Sequence, residues 1–175
     1  SKQSYVRPFL DSLCERDKRV KVSHRLENGH ISLASNEAST MAEGDFVLLL
    51  DHDDLLRPHS ILRFAQKISS NPSLKLIYSD EDKVDEEGVR FDHYFKPDWN
   101  PDLFLSQNYI CHLTCISRHE FVRAGGFRIG IEGSQDWDLF LRICEGIKDV
   151  EIGHIPEILY HWRATEKSTA STLET

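Results

Sequence analysis

The chain has 175 residues, with 21 Lys and Arg against 29 Asp and Glu, a net charge of −8 with His neutral, and 39% hydrophobic residues. That length suits one domain, and the composition excludes a disordered segment. An acidic balance without a basic block excludes a general nucleic-acid binder, and no apolar run approaches the roughly 18 residues that cross a bilayer.

Tyr5, Phe9 and Leu13, with Val6 and Leu10, recur at helical spacing and predict an amphipathic helix over 4–16. The segment 20–22 reads as a short strand, and Asn28-Gly29 as a turn. Ile31, Ala34, Ala38 and Met41 form a small-residue helical stripe ended by Gly44 as a C-cap. Residues 45–50 are continuously apolar, the pattern of a strand buried on both faces within a parallel sheet. Pro58 opens the next helix, Asn71-Pro72 ends it, and 74–78 is the following strand. This alternation predicts an α/β fold with a mostly parallel central sheet flanked by helices. The chain begins on a helix, which predicts that the first strand or strands of the sheet are missing and that a sheet edge is exposed for self-association. From residue 80 the rhythm breaks: a hairpin tip at 85–88, a strand over 112–117, a helix over 118–124, Gly125-Gly126, a helix over 135–145 and two short strands near 150–161. No apolar leader opens the chain, and Cys14, Cys111, Cys115 and Cys144 are scattered, which predicts buried free thiols in a reducing, cytoplasmic location.

Three constellations carry chemistry. Asp51-His52-Asp53-Asp54 follows the apolar strand directly, where ligands bind in open α/β sheets. Its carboxylates repel unless a cation sits among them, and Asp51 and Asp53 can share a hard divalent ion. The other reading is a solvated turn with Asp54 capping the next helix. Asp136 and Asp138 open a helix after Gly133-Ser134: Asp136 is either a general base or a partner of the helix dipole, and Asp138 and Arg142 are spaced as a helix-face pair. Trp137 could wall a sugar site or pack in the core. On the strand at 159–163, His161 and Arg163 share one face, His161 as a candidate metal ligand and Arg163 as a candidate phosphate partner; the other reading is an exposed strand edge with a surface His. A rival use of Asp51 is as the nucleophile of a haloacid-dehalogenase-type phosphatase, but Leu55 breaks that motif in its fifth place.

Seven stretches in this order, namely 27–36, 46–54, 77–83, 94–99, 125–127, 134–142 and 159–163, resemble the inverting family 2 glycosyltransferases of the GT-A fold, in particular bacterial members linked to O-antigen and other surface polysaccharides. The resemblance implies transfer of a sugar, with inversion, from a nucleoside-diphosphate sugar, a UDP-sugar foremost, to a saccharide or lipid-linked acceptor. It implies Mn²⁺ or Mg²⁺ held by Asp53, Asp51 and His161, donor contacts from Asp51, Asn36 and Arg163, acceptor contacts from Trp137, Asp138 and Trp99, and Asp136 as the catalytic base. It implies a cytoplasmic protein, at or near the inner face of the membrane, and no nucleic-acid partner.

The same resemblance divides the single domain fragment 1–175 into the remainder of a nucleotide-binding half, 1–80, and an acceptor-binding half, 81–175. The first βαβ unit of such proteins has no counterpart here, so this chain is expected to bind donor weakly. Leu173-Glu174 reads as a scar of cloning, which leaves open whether Leu173-Glu174-Thr175 is native. The alternatives are the phosphatase and a non-catalytic remnant.

Overall fold

The structure is a computed structural model and describes residues 3–164. Helices α1 (Val6–Arg16) and α2 (His30–Thr40) come first. Strand β1 (Phe46–Leu49) leads through the acidic turn into a two-residue strand β2 (Leu55–Leu56) and helix α3 (Ser60–Ser70). Strand β3 (Leu76–Val84) turns back as β4 (Arg90–Tyr94). Helix α4 (Pro101–Ser106), strand β5 (Thr114–Ser117) and helix α5 (Arg118–Arg123) follow. Helix α6 (Gln135–Cys144) and one 3₁₀ turn (Asp149–Glu151) precede the long strand β6 (Ile152–Arg163). No helix among the described residues is long and apolar enough to cross a membrane. The expectation for 173–175 lies outside the described residues.

The strands form one sheet in the order β1-β5-β3-β6-β2, with β4 paired to the distal half of β3. Among the described residues only β3 and β6 run parallel; β1–β5, β3–β5, β3–β4 and β2–β6 are antiparallel. This corrects the expected mostly parallel sheet. The helix–strand alternation up to Tyr78 mimics repeated βαβ units, but the hairpin at 85–88 reverses the chain, and β5 then runs against both β1 and β3. Gly88, with φ +83°, supplies the left-handed residue that this tip needs. The expected boundary near residue 80 falls inside β3, so one sheet spans both halves.

The core lies on both faces of the sheet. One cluster joins β3 and β5 to α4, α5 and α6 through Leu76, Tyr78, Phe104, Phe121, Leu139 and Phe140. The other joins Ile77, Cys115 and Leu159 to Phe64 of α3. Strand β1 serves both: Val47 and Leu49 pack on the first cluster, Phe46 and Leu48 on the second. Its apolar run therefore does mean burial on two faces, while its outer edge has no strand neighbour among the described residues.

The expected strand at 20–22 is not formed. Lys21 donates to the Met41 carbonyl at 3.1 Å and pairs with Glu43, and Ser23 and Arg25 reach Glu37, so side chains tie this segment along α2. Helix α2 stops at Thr40 with Met41 as its C-cap, before the expected Gly44. All four cysteines are free, and burial pushes the thiols of Cys111, Cys115 and Cys144 up to about 12.

Candidate active site

β1 delivers the chain to the acidic turn at its carboxyl end. β2 then pairs with the end of β6, Leu55 opposite His161 and Leu56 opposite Tyr160, which lays the last residues of β6 against the turn. The buried Tyr160 donates its hydroxyl to Asp54 Oδ2 and accepts the Asp51 N–H at 3.4 Å. The Arg163 backbone N–H donates to Asp54 Oδ1 at 2.8 Å, and Arg163 Nε donates to the Asp53 carbonyl at 2.7 Å. Asp54 thus fixes the turn; it does not cap α3, whose N-cap is His59. Burial raises the Asp54 carboxyl above its ordinary value, outweighing the Tyr160 and Arg163 hydrogen bonds that lower it.

Asp51 and Asp53 remain. The Asp53 side chain is 51% exposed, and its ion-pair neighbour among the described residues is His52, 3.6 Å away. No described residue donates a hydrogen bond to either carboxylate. Two such oxygen ligands suit Mg²⁺ or Mn²⁺ held jointly by protein and substrate phosphates, an arrangement that needs only one or two protein carboxylates. Among the described residues no three His, Cys, Asp or Glu side chains converge as a metal-binding group. The expected set of Asp51, Asp53 and His161 is therefore not assembled. His161 Nδ1 is already paired with Asp82, whose wholly buried side chain also accepts Arg90 Nε at 2.6 Å. Only Nε2 of that ring is left for a ligand, oriented by the carboxylate behind it.

Asp82 closes a row of buried acids on β3 to which sequence reasoning assigns no role. Asp80 Oδ1 accepts the Lys96 N–H at 2.9 Å and lies 2.8 Å from His154 Nε2, whose Nδ1 is 3.0 Å from Asp98. Glu81 pairs with the Lys96 ammonium at 3.1 Å. The sequence signal is three consecutive acids on the end of an apolar run, the same form as the turn after β1. Opposite this row, β3 advances two residues from Ser79 to Glu81 while β6 advances five, from Ile155 to Tyr160. That bulge, at Pro156, aims Tyr160, His161 and Arg163 at the turn.

Asp136 lies in the first turn of α6, where the helix dipole favours a carboxylate. Its Oδ2 accepts Asn108 Nδ2 at 2.8 Å and its Oδ1 the Trp137 N–H at 2.8 Å. Other expected contacts are engaged elsewhere. Trp137 donates its indole N–H to the Phe104 carbonyl at 3.0 Å, and Trp99 donates its own to Asp149 at 2.7 Å. Both rings are partly buried and pack on the core cluster, Trp99 and Trp137 each against Phe104. Asp138 pairs with Arg142 at 2.6 Å, as its helical spacing predicts, and with Arg128 at 3.0 Å. Asn36, expected at the donor, uses both ends of its amide on the Phe127 backbone, each at 2.8 Å. Gly126, at φ +66°, makes that approach, since a Cβ there would meet Asn36 Oδ1 at 2.5 Å.

A sheet of this topology, with helices on both faces and an acidic turn after β1, is the GT-A fold of nucleotide-sugar transferases. The chain superposes on S. aureus TarS 1–349 in complex with UDP-GlcNAc with a TM-score of 0.74 at 17% identity, covering all of this chain and 50% of that one. On the mannosyltransferase PcManGT of Pyrobaculum calidifontis in complex with GDP-Man and Mn²⁺ the TM-score is 0.67 at 16% identity, covering 98% and 48%. The family model described as Glycosyltransferase like family 2 matches residues 6–171, and the chain belongs to that family. This assignment replaces the phosphatase alternative.

Among its relatives, the uncharacterized protein y4gI of Sinorhizobium fredii is 47% identical over 93% of this chain. The O-antigen biosynthesis protein RfbC of Myxococcus xanthus is 39% identical over 93%. The O-antigen biosynthesis glycosyltransferase WbnJ of Escherichia coli is 26% identical over 91% of this chain and 63% of its own. The chain spans only 18% and 13% of the length of the first two relatives.

Proposed function

We propose that this domain transfers a sugar from a nucleoside-diphosphate sugar to a hydroxyl of a saccharide or lipid-linked acceptor, with inversion, in surface-polysaccharide synthesis. The observation that carries the reading is the pair of Asp51 and Asp53, two carboxylates without hydrogen-bond donors among the described residues, on a turn that Tyr160 and Arg163 hold in place. The family supports sugar transfer, and the O-antigen relatives support the polysaccharide setting. The nucleotide sugars and Mn²⁺ bound to TarS and PcManGT support the donor class, UDP-sugars first, and a divalent cation.

In this reading Asp51 and Asp53 are the ligands of Mn²⁺ or Mg²⁺, which when bound neutralises the leaving diphosphate as a Lewis acid. Arg163, at the rim of the turn, faces the phosphates. Asp136 takes the proton of the acceptor hydroxyl as the oxygen bonds to the anomeric carbon. The bond from that carbon to the diphosphate oxygen breaks on the opposite side, its electron pair leaves with the diphosphate, and the configuration inverts.

The test is made in the intact protein. Asp53→Ala is expected to abolish Mn²⁺-dependent binding of the nucleotide sugar in calorimetry. Asp136→Asn is expected to lower turnover by roughly 10²-fold or more with donor binding kept. Wild-type binding and turnover in both variants would overturn these roles of Asp53 and Asp136, and an intact wild-type protein without turnover would leave a non-catalytic module as the reading.

A further inference from the structure

The segment between α4 and β5 is anchored from inside the protein. The Lys96 side chain is 0% exposed, and its three N–H groups go to Glu81 Oε2 at 3.1 Å, to the Ile110 carbonyl at 2.6 Å and to the His112 carbonyl. Glu81 Oε2 also accepts the His112 N–H at 2.9 Å. Within these anchors Cys111 takes a φ of +37°, which a residue with a side chain adopts only where its surroundings hold it. The segment starts at Asn108. Its Oδ1 accepts the Cys111 N–H at 3.5 Å and its carbonyl accepts the Cys111 thiol at 3.1 Å. Its Nδ2 crosses to another element and donates to Asp136 Oδ2 at 2.8 Å. The other Asp136 oxygen is bonded within α6 itself, to the Trp137 N–H.

We propose that Asn108 is the positioning residue of Asp136, and that the buried Lys96–Glu81 pair is the anchor that holds Asn108 in place. The proposal rests on the reading of Asp136 as the base. One N–H on each oxygen fixes the rotation of the carboxylate and leaves lone pairs for the acceptor hydroxyl. Such fixing matters because a misplacement of about 1 Å can cost about 10²-fold in rate.

The experiment compares Asn108→Asp, Asn108→Ala and Asp136→Asn in the intact protein. Asn108→Asp keeps the shape and the oxygen that accepts the Cys111 N–H, but sets a carboxylate against Asp136. Asn108→Ala loses both contacts. A positioning role lowers kcat roughly tenfold or more in both Asn108 variants, with donor KM within about twofold of wild type. A role confined to shaping the loop lowers it in Asn108→Ala alone, so wild-type turnover of Asn108→Asp overturns the proposal. If Asn108→Asp shows no cooperative melt, Asn108→Ser decides: a hydroxyl donor that restores part of the kcat lost in Asn108→Ala supports positioning, and equal turnover of the two overturns it. Asp136→Asn separates the two levels. If it turns over like wild type, the base assignment fails and the proposal with it. If it is inactive while Asn108→Asp is active, the base assignment stands and positioning alone is lost.

Discussion

Asp51, Asp53 and Asp54 show how three like charges within four residues divide their work. Such carboxylates repel unless partners compensate them. Asp54 takes the Tyr160 hydroxyl and the Arg163 N–H and becomes part of the frame, and the carboxylates of Asp51 and Asp53 accept no hydrogen bond from the described residues. Burial raises the Asp54 carboxyl, so the folded protein favours its protonated form relative to the unfolded chain. The stability this contributes is full below the ordinary carboxylate value of about 3.9 and is lost as pH rises through the raised value. Asparagine at this position is neutral at every pH and still accepts the Arg163 N–H. The melting temperature of Asp54→Asn relative to wild type is therefore expected to increase between about pH 4 and about pH 7. Thermal melts across that range check it, and a constant difference would contradict the burial argument. The sequence shows that this turn is acidic and set after a strand, but not which acid is spent, because Tyr160 lies 109 residues from Asp51. The same distance problem hides Asn36, whose clamp on Phe127 spans 91 residues, whereas the Asp138–Arg142 pair is legible because helical spacing alone creates it.

At the scale of elements, β3 is the strand around which the site is arranged. It carries Asp80, Glu81 and Asp82 into the protein, and each is matched: Asp80 by His154, Glu81 by Lys96, Asp82 by His161 and Arg90. Breaking a buried pair from one side leaves the other charge uncompensated, at a cost of about 3–5 kcal/mol. Lys96→Met is expected to lose stability on that scale in urea unfolding. Adding Glu81→Gln, which removes the orphaned charge but keeps an acceptor for the His112 N–H, is expected to recover much of it. A double variant no more stable than Lys96→Met would mean that the lost loop contacts, not the orphaned charge, set the cost. Helices α1, α3 and α6 and the β3–β4 hairpin were readable because their periodicity or turn residues are local. α4 carries an equally local signal, with Asn100 as a capping side chain accepting the Leu103 N–H at 3.0 Å and Pro101 in the first turn. Its six residues are too few for a periodic stripe, so the aromatic mixture around it conceals the cap. The acids of β3 and the single long β6 were unreadable for a different reason. Buried ion pairs let charged residues sit where a strand interior is expected to be apolar.

For the whole molecule, the order of elements and the two-sided core follow from the pattern of apolar residues, while strand direction does not. A four-residue apolar strand looks the same whether its neighbour is parallel or antiparallel, and here β5 decides the matter by entering between β1 and β3. The burial of Lys96 has a consequence for observing this molecule in motion. An amine with no exposed surface is out of reach of an acylating reagent until the loop over it opens, whereas Lys18 and Lys148 are exposed in the folded structure. Its labelling rate, divided by that of those two lysines, is thus a clock for the local opening of the loop that carries Asn108. Mass spectrometry after a timed pulse of reagent is expected to find Lys96 labelled far more slowly than either. Saturating nucleotide sugar that slows this clock further would reveal that donor and loop are ordered together, and an unchanged rate would show that the two move independently.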